Sequence, residues 1–305
     1  MSDLAPTLAR LSALLGDRDG PPEPLEGGIT NRNFRVSFAG VSYVLRLPGK
    51  NTDLLGIDRD AEWAAAGAAA RAGVGPQLGA MLGDPPCLVT RFIEGRSLST
   101  GELREPAMLK SFAAALRAIH DSGEQLPATF SPFRVVETYA ATSRARGADV
   151  PAAYGAALEH SASIEAALHG PEHEPVPCHN DLLPANLLYD GAGVRMIDWE
   201  YAGMGDRYFD LGNFAVNNEL DEPGEAALLE AYFGEPAGAR RHAALGLMRF
   251  MSDFREAMWG VVQAPVSELE FDFEAYASDH FRRLGETAAD PLFGRWLEEA
   301  RGAQA

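Results

Sequence analysis

The chain has 305 residues, 46% of them hydrophobic, with 26 Lys and Arg against 44 Asp and Glu for a net charge of -18. That content is enough for one large domain or two lobes, and the acidic balance speaks against nonspecific binding to nucleic acid or anionic membranes. No run of about 18 apolar residues occurs and Met1-Ser2-Asp3-Leu4 lacks a basic start, so neither a membrane span nor a signal peptide is expected.

Leu8, Leu11, Leu14 and Leu15 recur at helical spacing, which predicts a short amphipathic helix over 5–15, broken by Gly20-Pro21-Pro22. Phe34, Val36 and Phe38 alternate as in a strand, Ala39-Gly40 turns the chain, and 41–47 returns it. Ahead of these strands lies Gly27-Gly28-Ile29-Thr30-Asn31. Glycines there would let the backbone approach phosphate oxygens, with Thr30 and Asn31 donating, although a plain hairpin loop explains Gly27-Gly28 equally well.

On the return strand, Tyr43, Leu45 and Leu47 share one face, while Val44 and Arg46 share the other. Val44 is placed to touch an adenine and Arg46 to reach phosphates. The only lysines are Lys50 and Lys110, and Lys50 lies beyond Pro48-Gly49, off the strand, so Arg46 is preferred as the phosphate-binding cation. A helix follows over 57–71, ended by Gly73. A kinase-type site needs a carboxylate on this helix to hold the cation. Glu62 is the candidate, with Asp58 and Asp60 as rivals and Arg59 as a further phosphate contact.

Residues 82–86 read as a turn, and 87–95 as an apolar strand leading into a linker between lobes, its backbone near Arg91, Phe92 and Ile93 facing the adenine edge. This divides the chain into 1–94, a nucleotide-binding lobe, and 95–305, a helical lobe with the catalytic loop. Helices are expected over 107–120, ending in His120 as a C-terminal cation, and over 135–169 with a break at 147–151. Cys87 and Cys178 stand far apart without metal spacing, which fits buried thiols and a cytoplasmic location.

The stretch Cys178-His179-Asn180-Asp181 to Asn186, followed by a hairpin turning at Asp190-Gly191 and ending in Asp198-Trp199-Glu200, carries the chemistry. Each polar residue alone reads as a turn or cap. Together, Asp181, Asn186 and Asp198 match what phosphoryl transfer from ATP requires. One Asp orients and deprotonates a hydroxyl, while an Asn and a second Asp hold Mg²⁺. Glu200 is a further carboxylate for metal or substrate. Asp210 is expected ahead of a helix, bracing the loop. Helical patterns follow over 214–220, 224–233 and 243–262, then an aromatic run from Leu269 to Tyr276.

Gly27 to Asn31, Tyr43 to Gly49, Ile57-Asp58-Arg59, His179-Asn180-Asp181, Asn186, Ile197 to Tyr201, Phe209 to Asn213, and Trp259 to Gln263 with Ser267 and Phe271 to Tyr276 together resemble the choline/ethanolamine kinase branch of the aminoglycoside phosphotransferase family. The resemblance implies an α+β, protein-kinase-like fold: a small lobe of antiparallel sheet plus a helix, and a larger, mostly helical lobe. It also implies Asp181 as base, Asn186 and Asp198 on Mg²⁺, Arg46 with Glu62 at the phosphates of ATP, and Tyr201, Trp259 and Tyr276 around a small amino alcohol. Aromatic faces suit a quaternary ammonium, which donates no hydrogen bonds. The chain departs from the pattern at Glu256, where eukaryotic choline kinases have a second tryptophan, and at Asn217, where they have a glutamate. That pair of changes favours a primary amine or another amino alcohol. The competing readings are a kinase of thiamine or an aminoglycoside, and a nucleotide-binding protein without catalysis.

Overall fold

The computed structural model describes residues 4–25, 31–49, 52–83, 86–170, 173–267 and 271–301. Gly28 and Thr30 lie outside the described residues. Helix α1 (Leu4–Leu15) precedes strands β1 (Glu23–Leu25), β2 (Asn31–Phe38) and β3 (Val41–Pro48). Helix α2 (Arg59–Arg71) follows, then β4 (Leu78–Gly83) and β5 (Pro86–Arg91). The five strands form one antiparallel sheet in the order β1-β2-β3-β5-β4.

The period-two reading of β3 holds. Tyr43, Leu45 and Leu47 are buried with Val36, Phe38 and Val89 beneath Leu8 and Leu11 of α1. That places Val44 and Arg46 on the opposite face, which lines a cleft. The Asp58 carboxylate caps α2 by accepting from the amides of Asp60 and Ala61.

Two expectations for this region need correction. The strand read over 87–95 stops at Arg91. Beyond Phe92, whose amide still donates to Ser42 O at 3.0 Å, the chain leaves the sheet. At Gly95 it passes so close to Tyr189 that a Cβ would lie 2.9 Å from the carbonyl oxygen, and it then pairs with another sheet. The second is the turn read over 82–86: Leu82 and Gly83 belong to β4 and Pro86 to β5, and β4 is a strand that the sequence does not announce. Its Gly79 leaves room for the Tyr43 ring, and its register with β5 shifts between Leu78 and Ala80.

The remaining elements are β6 (Arg96–Ser97), α3 (Thr100–Leu103), α4 (Pro106–His120), α5 (Pro132–Ala145), α6 (Ala153–Leu168) and β7 (Val176–Cys178). After them come β8 (Leu187–Tyr189), β9 (Val194–Met196), β10 (Gly203–Gly205) and α7 (Arg207–Asn217). The chain finishes with α8 (Glu222–Phe233), α9 (Ala239–Gln263), α10 (Phe273–Ala288) and α11 (Phe293–Arg301). Strands β8 and β9 form the hairpin expected around Asp190-Gly191, with β6 added at its edge.

Helix α9 is the axis of this larger lobe, packed by α5, α7, α10 and α11. Every residue from Phe250 to Gln263 is buried. A helix enclosed on all sides should be apolar throughout, yet this one carries Asp253, Arg255 and Glu256. Charges are buried only where partners or function hold them. Helix α7 crosses α9 at close range, since a Cβ on Gly212 would lie 2.8 Å from the Met248 backbone. That contact brings the α7 side chains Asp210 and Asn213 under the loop that follows β7.

Candidate active site

The loop between β7 and β8 owes its shape to α7. Asp210, fully buried, accepts from the amides of His179 at 2.8 Å and Asn180 at 2.7 Å. One helical turn on, Asn213 accepts from the Leu182 amide at 2.6 Å and donates to Ser252 of α9. Asp210 lies within the first turn of α7, whose cap is Asp206, rather than ahead of the helix as the sequence suggests. His120 does end α4, as expected, but its ring is buried between Asp210 (3.0 Å) and the Tyr232 hydroxyl (2.7 Å), partners that the helix-end reading did not foresee.

His179 closes the loop from the other side. Its Nε2 lies 2.9 Å from Ile197 O, while its Nδ1 accepts from the Asp181 amide at 3.3 Å. That network assigns a neutral ring protonated on Nε2, and burial lowers its pKa to match. Asn180 and Asp198, both non-glycine, adopt φ of +66°. Such backbone costs on the order of 1 kcal/mol per residue and persists only where surroundings impose it. For Asn180 those surroundings include Asp210 and the Tyr201 carbonyl, which accepts from its side chain.

Asp181 and Asn186 meet. The Asn186 amide donates to the Asp181 carbonyl at 2.8 Å and to its carboxylate at 3.1 Å, leaving the Asn186 side-chain oxygen as a hard donor. Asn186 O accepts the Ile197 amide, which ties that loop to the segment bearing Asp198. Burial pushes Asp181 up to about 7; Arg255 opposes the rise, and Glu256, Asp198 and Glu200 add to it.

Arg46 spans two elements, donating to Glu62 of α2 at 2.9 Å and to Asp198 at 2.5 Å. Burial pulls its pKa down, but Asp198, Glu62 and Glu200 more than offset this and raise it above its usual value. The second oxygen of Glu62 takes Arg59 at 2.6 Å, and Arg59 reaches Glu200 at 3.2 Å. Asn31 belongs to this charge network, donating to Glu200 at 2.9 Å and accepting from Arg59 at 3.3 Å. Glu200 therefore pairs with Arg59 and Asn31 while remaining within electrostatic reach of Tyr201 and Asp181.

Val44, Arg46, Arg91, Phe92 and Ile93 line one cleft with Asp198, an open space of about 1110 Å³. Sequence reasoning missed several of its walls, among them Leu88, Thr90, Leu188 and Ile197. Their alternation was visible, but which strand face meets the second lobe was not. An oxygen donor set of Asn186 and Asp198 beside Asp181 suits a hard divalent cation.

On the far side of Asp181, Trp259 Nε1 donates to the Tyr201 hydroxyl at 3.2 Å, and the rings of Trp259 and Tyr276 meet edge to face at 5.7 Å. The Tyr276 hydroxyl donates to Glu256 at 2.8 Å. Sequence reasoning flagged Glu256 only as a departure and did not single out its neighbour Arg255. Arg255 is 1% exposed and donates to Glu256 at 2.5 Å and to Asp181 at 3.2 Å. A charged residue inside a buried helical stretch was the available signal.

The phosphotransferase enzyme family model matches residues 22–245. Ethanolamine kinase 2 of Rattus norvegicus is 30% identical over 269 residues, covering 79% of this chain and 68% of that protein. The protein LicA of Haemophilus influenzae is 26% identical over 246 residues, covering 78% and 72%. The crystal structure of a choline/ethanolamine kinase family protein from Mesorhizobium loti superposes with a TM-score of 0.85 at 30% identity, covering 98% of this chain and 99% of that one.

Proposed function

This chain belongs to the phosphotransferase enzyme family, on its choline/ethanolamine kinase branch, and from that premise we propose that it transfers the γ-phosphoryl group of ATP to the hydroxyl of a small amino alcohol. The observation that carries the reading is the convergence of Asp181, Asn186 and Asp198, with Arg46 and Glu62 behind Asp198. In this reading residues 1–94 form the nucleotide-binding lobe and 95–305 the helical lobe, the boundary falling shortly after the chain leaves the sheet at Phe92, and the nucleotide occupies the cleft between Val44 and the 91–93 backbone.

Asp181 accepts the hydrogen bond of the acceptor hydroxyl, aims its oxygen along the line of attack and takes its proton as the new P–O bond forms. A carboxylate held near neutrality by burial is suited to that exchange. Asn186 fixes the Asp181 carboxylate from one side and Arg255 from the other. Arg46, steadied by Glu62, presents its guanidinium to the phosphates. Asn186 and Asp198 would hold Mg²⁺, which neutralises charge on the phosphate oxygens when bound. Tyr201, Trp259, Tyr276 and Glu256 form the wall beside the acceptor, while Glu200 supports Arg59 and Asn31.

Phosphate transfer should be followed as acceptor-dependent ADP release with choline, ethanolamine and hydroxy amino acids. Asp181→Asn should lower kcat by roughly 10²–10⁴-fold while ATP still binds. Undiminished turnover in that variant would overturn the mechanism. Failure of the native protein with every amino alcohol, while an aminoglycoside is phosphorylated, would overturn the acceptor class.

A further inference from the structure

The aromatic wall beside Asp181 already holds a cation, and that cation is the protein's own. The Arg255 guanidinium carbon lies 4.4 Å from the centre of the Tyr201 ring. Its Nη1 takes Glu256 and Asp181, while the other Glu256 oxygen accepts from Tyr276 and the Tyr201 hydroxyl accepts from Trp259. The groups that would receive an ammonium head are thus committed to Arg255 or to one another. A quaternary ammonium here would meet like charge in a poorly solvated space with the Tyr201 face already taken, whereas a zwitterion brings a carboxylate that offsets its own ammonium.

The same guanidinium has capacity to spare. Its Nε and Nη2 are buried and have no hydrogen-bond partner among the described residues. These two nitrogens form one edge of a rigid plane, the fork that matches the two oxygens of a carboxylate. Leaving both donors buried and unpaired is costly, and a carboxylate removes that cost. Because Nη1 of this plane touches Asp181, the free edge lies within one guanidinium width of the base. A ligand that offers its hydroxyl to Asp181 can reach the fork only if its hydroxyl and carboxylate are a few bonds apart.

We propose that Arg255 determines acceptor specificity: it excludes quaternary ammonium alcohols and pairs its Nε–Nη2 edge with a carboxylate, so that the acceptor is a small hydroxy amino acid. This rests on the phosphotransfer reading above and narrows its acceptor from amino alcohols in general to those that also carry a carboxylate.

The test compares kcat/KM for ADP release with L-serine, L-homoserine, ethanolamine and choline, in the native protein and in Arg255→Lys and Arg255→Leu. The native protein should favour one of the hydroxy amino acids over choline by at least about tenfold, the scale of one lost charge-assisted pairing. Arg255→Lys keeps the charge but not the fork, so it should raise KM for that amino acid about tenfold or more and still reject choline. Arg255→Leu removes the resident cation and, although losing its hold on Asp181 lowers turnover with every acceptor, should raise the ratio of kcat/KM for choline to that for the amino acid by about tenfold or more relative to the native protein. Preference of the native protein for choline, or an Arg255→Lys variant with unchanged KM for the amino acid, would overturn the assignment while leaving phosphotransfer intact. Should Arg255→Leu fail to fold, the native ranking and Arg255→Lys decide the matter. Absence of ADP release with all four probes would instead defeat the broader amino-alcohol reading, and this assignment with it.

Discussion

Arg46 and Arg255 each hold one of the two aspartates at the centre of the site, and they are built in opposite ways. Arg46 stands on a strand of the small lobe and reaches Asp198, 152 positions away, with Glu62 of α2 as its second partner. Arg255 stands in the middle of an enclosed helix, takes its adjacent residue Glu256 as one partner and reaches Asp181. The first cluster stitches two lobes together across a cleft, so its geometry depends on how they sit. The second is set by a single rigid helix against a loop clamped by α7. The parts suited to handling phosphate are therefore shared between lobes, whereas the parts suited to choosing an acceptor belong to one.

That contrast predicts separable failures. The largest effect should come from Arg46→Met. Removing one partner of a buried pair leaves Asp198 and Glu62 partly uncompensated, a loss of about 3 kcal/mol or more. Titration with a fluorescent ATP analogue should show Kd rising by roughly one to two orders of magnitude, the scale of a lost charge-assisted contact to phosphate. If acceptor KM rises by as much as nucleotide Kd, the two clusters are not independent.

Asp210→Asn probes what both clusters share. One buried carboxylate serves the amides of His179 and Asn180, and charge-assisted bonds of this kind contribute about 1.5–3 kcal/mol each. We expect a lower melting temperature together with impaired nucleotide and acceptor steps. A variant that loses only one of the two would show that α7 does not support the loop as a unit.

A smaller and more selective change is Tyr276→Phe, which deletes the hydroxyl donated to Glu256 and costs about 1 kcal/mol. Acceptor KM should rise severalfold with nucleotide binding unchanged; a shift in nucleotide affinity would break the separation.

The smallest effect is on pH dependence. His179 is buried and its folded pKa is lowered, chiefly by desolvation, so the unfolded chain takes up the proton first. Its contribution to stability is complete above about 6.5 and is lost as pH falls through the lower folded value. Following the His179 ring carbon by NMR should give a midpoint below 6.5. A midpoint above it would show the imidazolium to be stabilised in place and would reverse the sign.

The sequence shows the spacing of Asp181, Asn186 and Asp198, the period-two placement of Arg46 and the helix bearing Glu62, because each depends on local pattern. Turn residues, strand alternation and capping act over a few positions and are read from a few positions. The hairpin at Asp190-Gly191 and the break between α5 and α6 follow for the same reason. Strand β4 was illegible because its Gly79 serves a neighbour's ring and a shifted register, which are tertiary demands.

Other assignments waited on long-range packing. His120 looks like a helix-end cation until α7 and α8 bring Asp210 and Tyr232 to it. That Glu200 takes Arg59 and Asn31 as partners is likewise visible only in the folded chain. By itself the sequence determined that the chain carries the residues for phosphoryl transfer and the elements to display them. Only the tertiary structure decided that Arg255 meets both Asp181 and the Tyr201 face. Which charges neutralise one another in a buried space depends on distances of a few ångströms between segments far apart in the chain, and no local pattern encodes them.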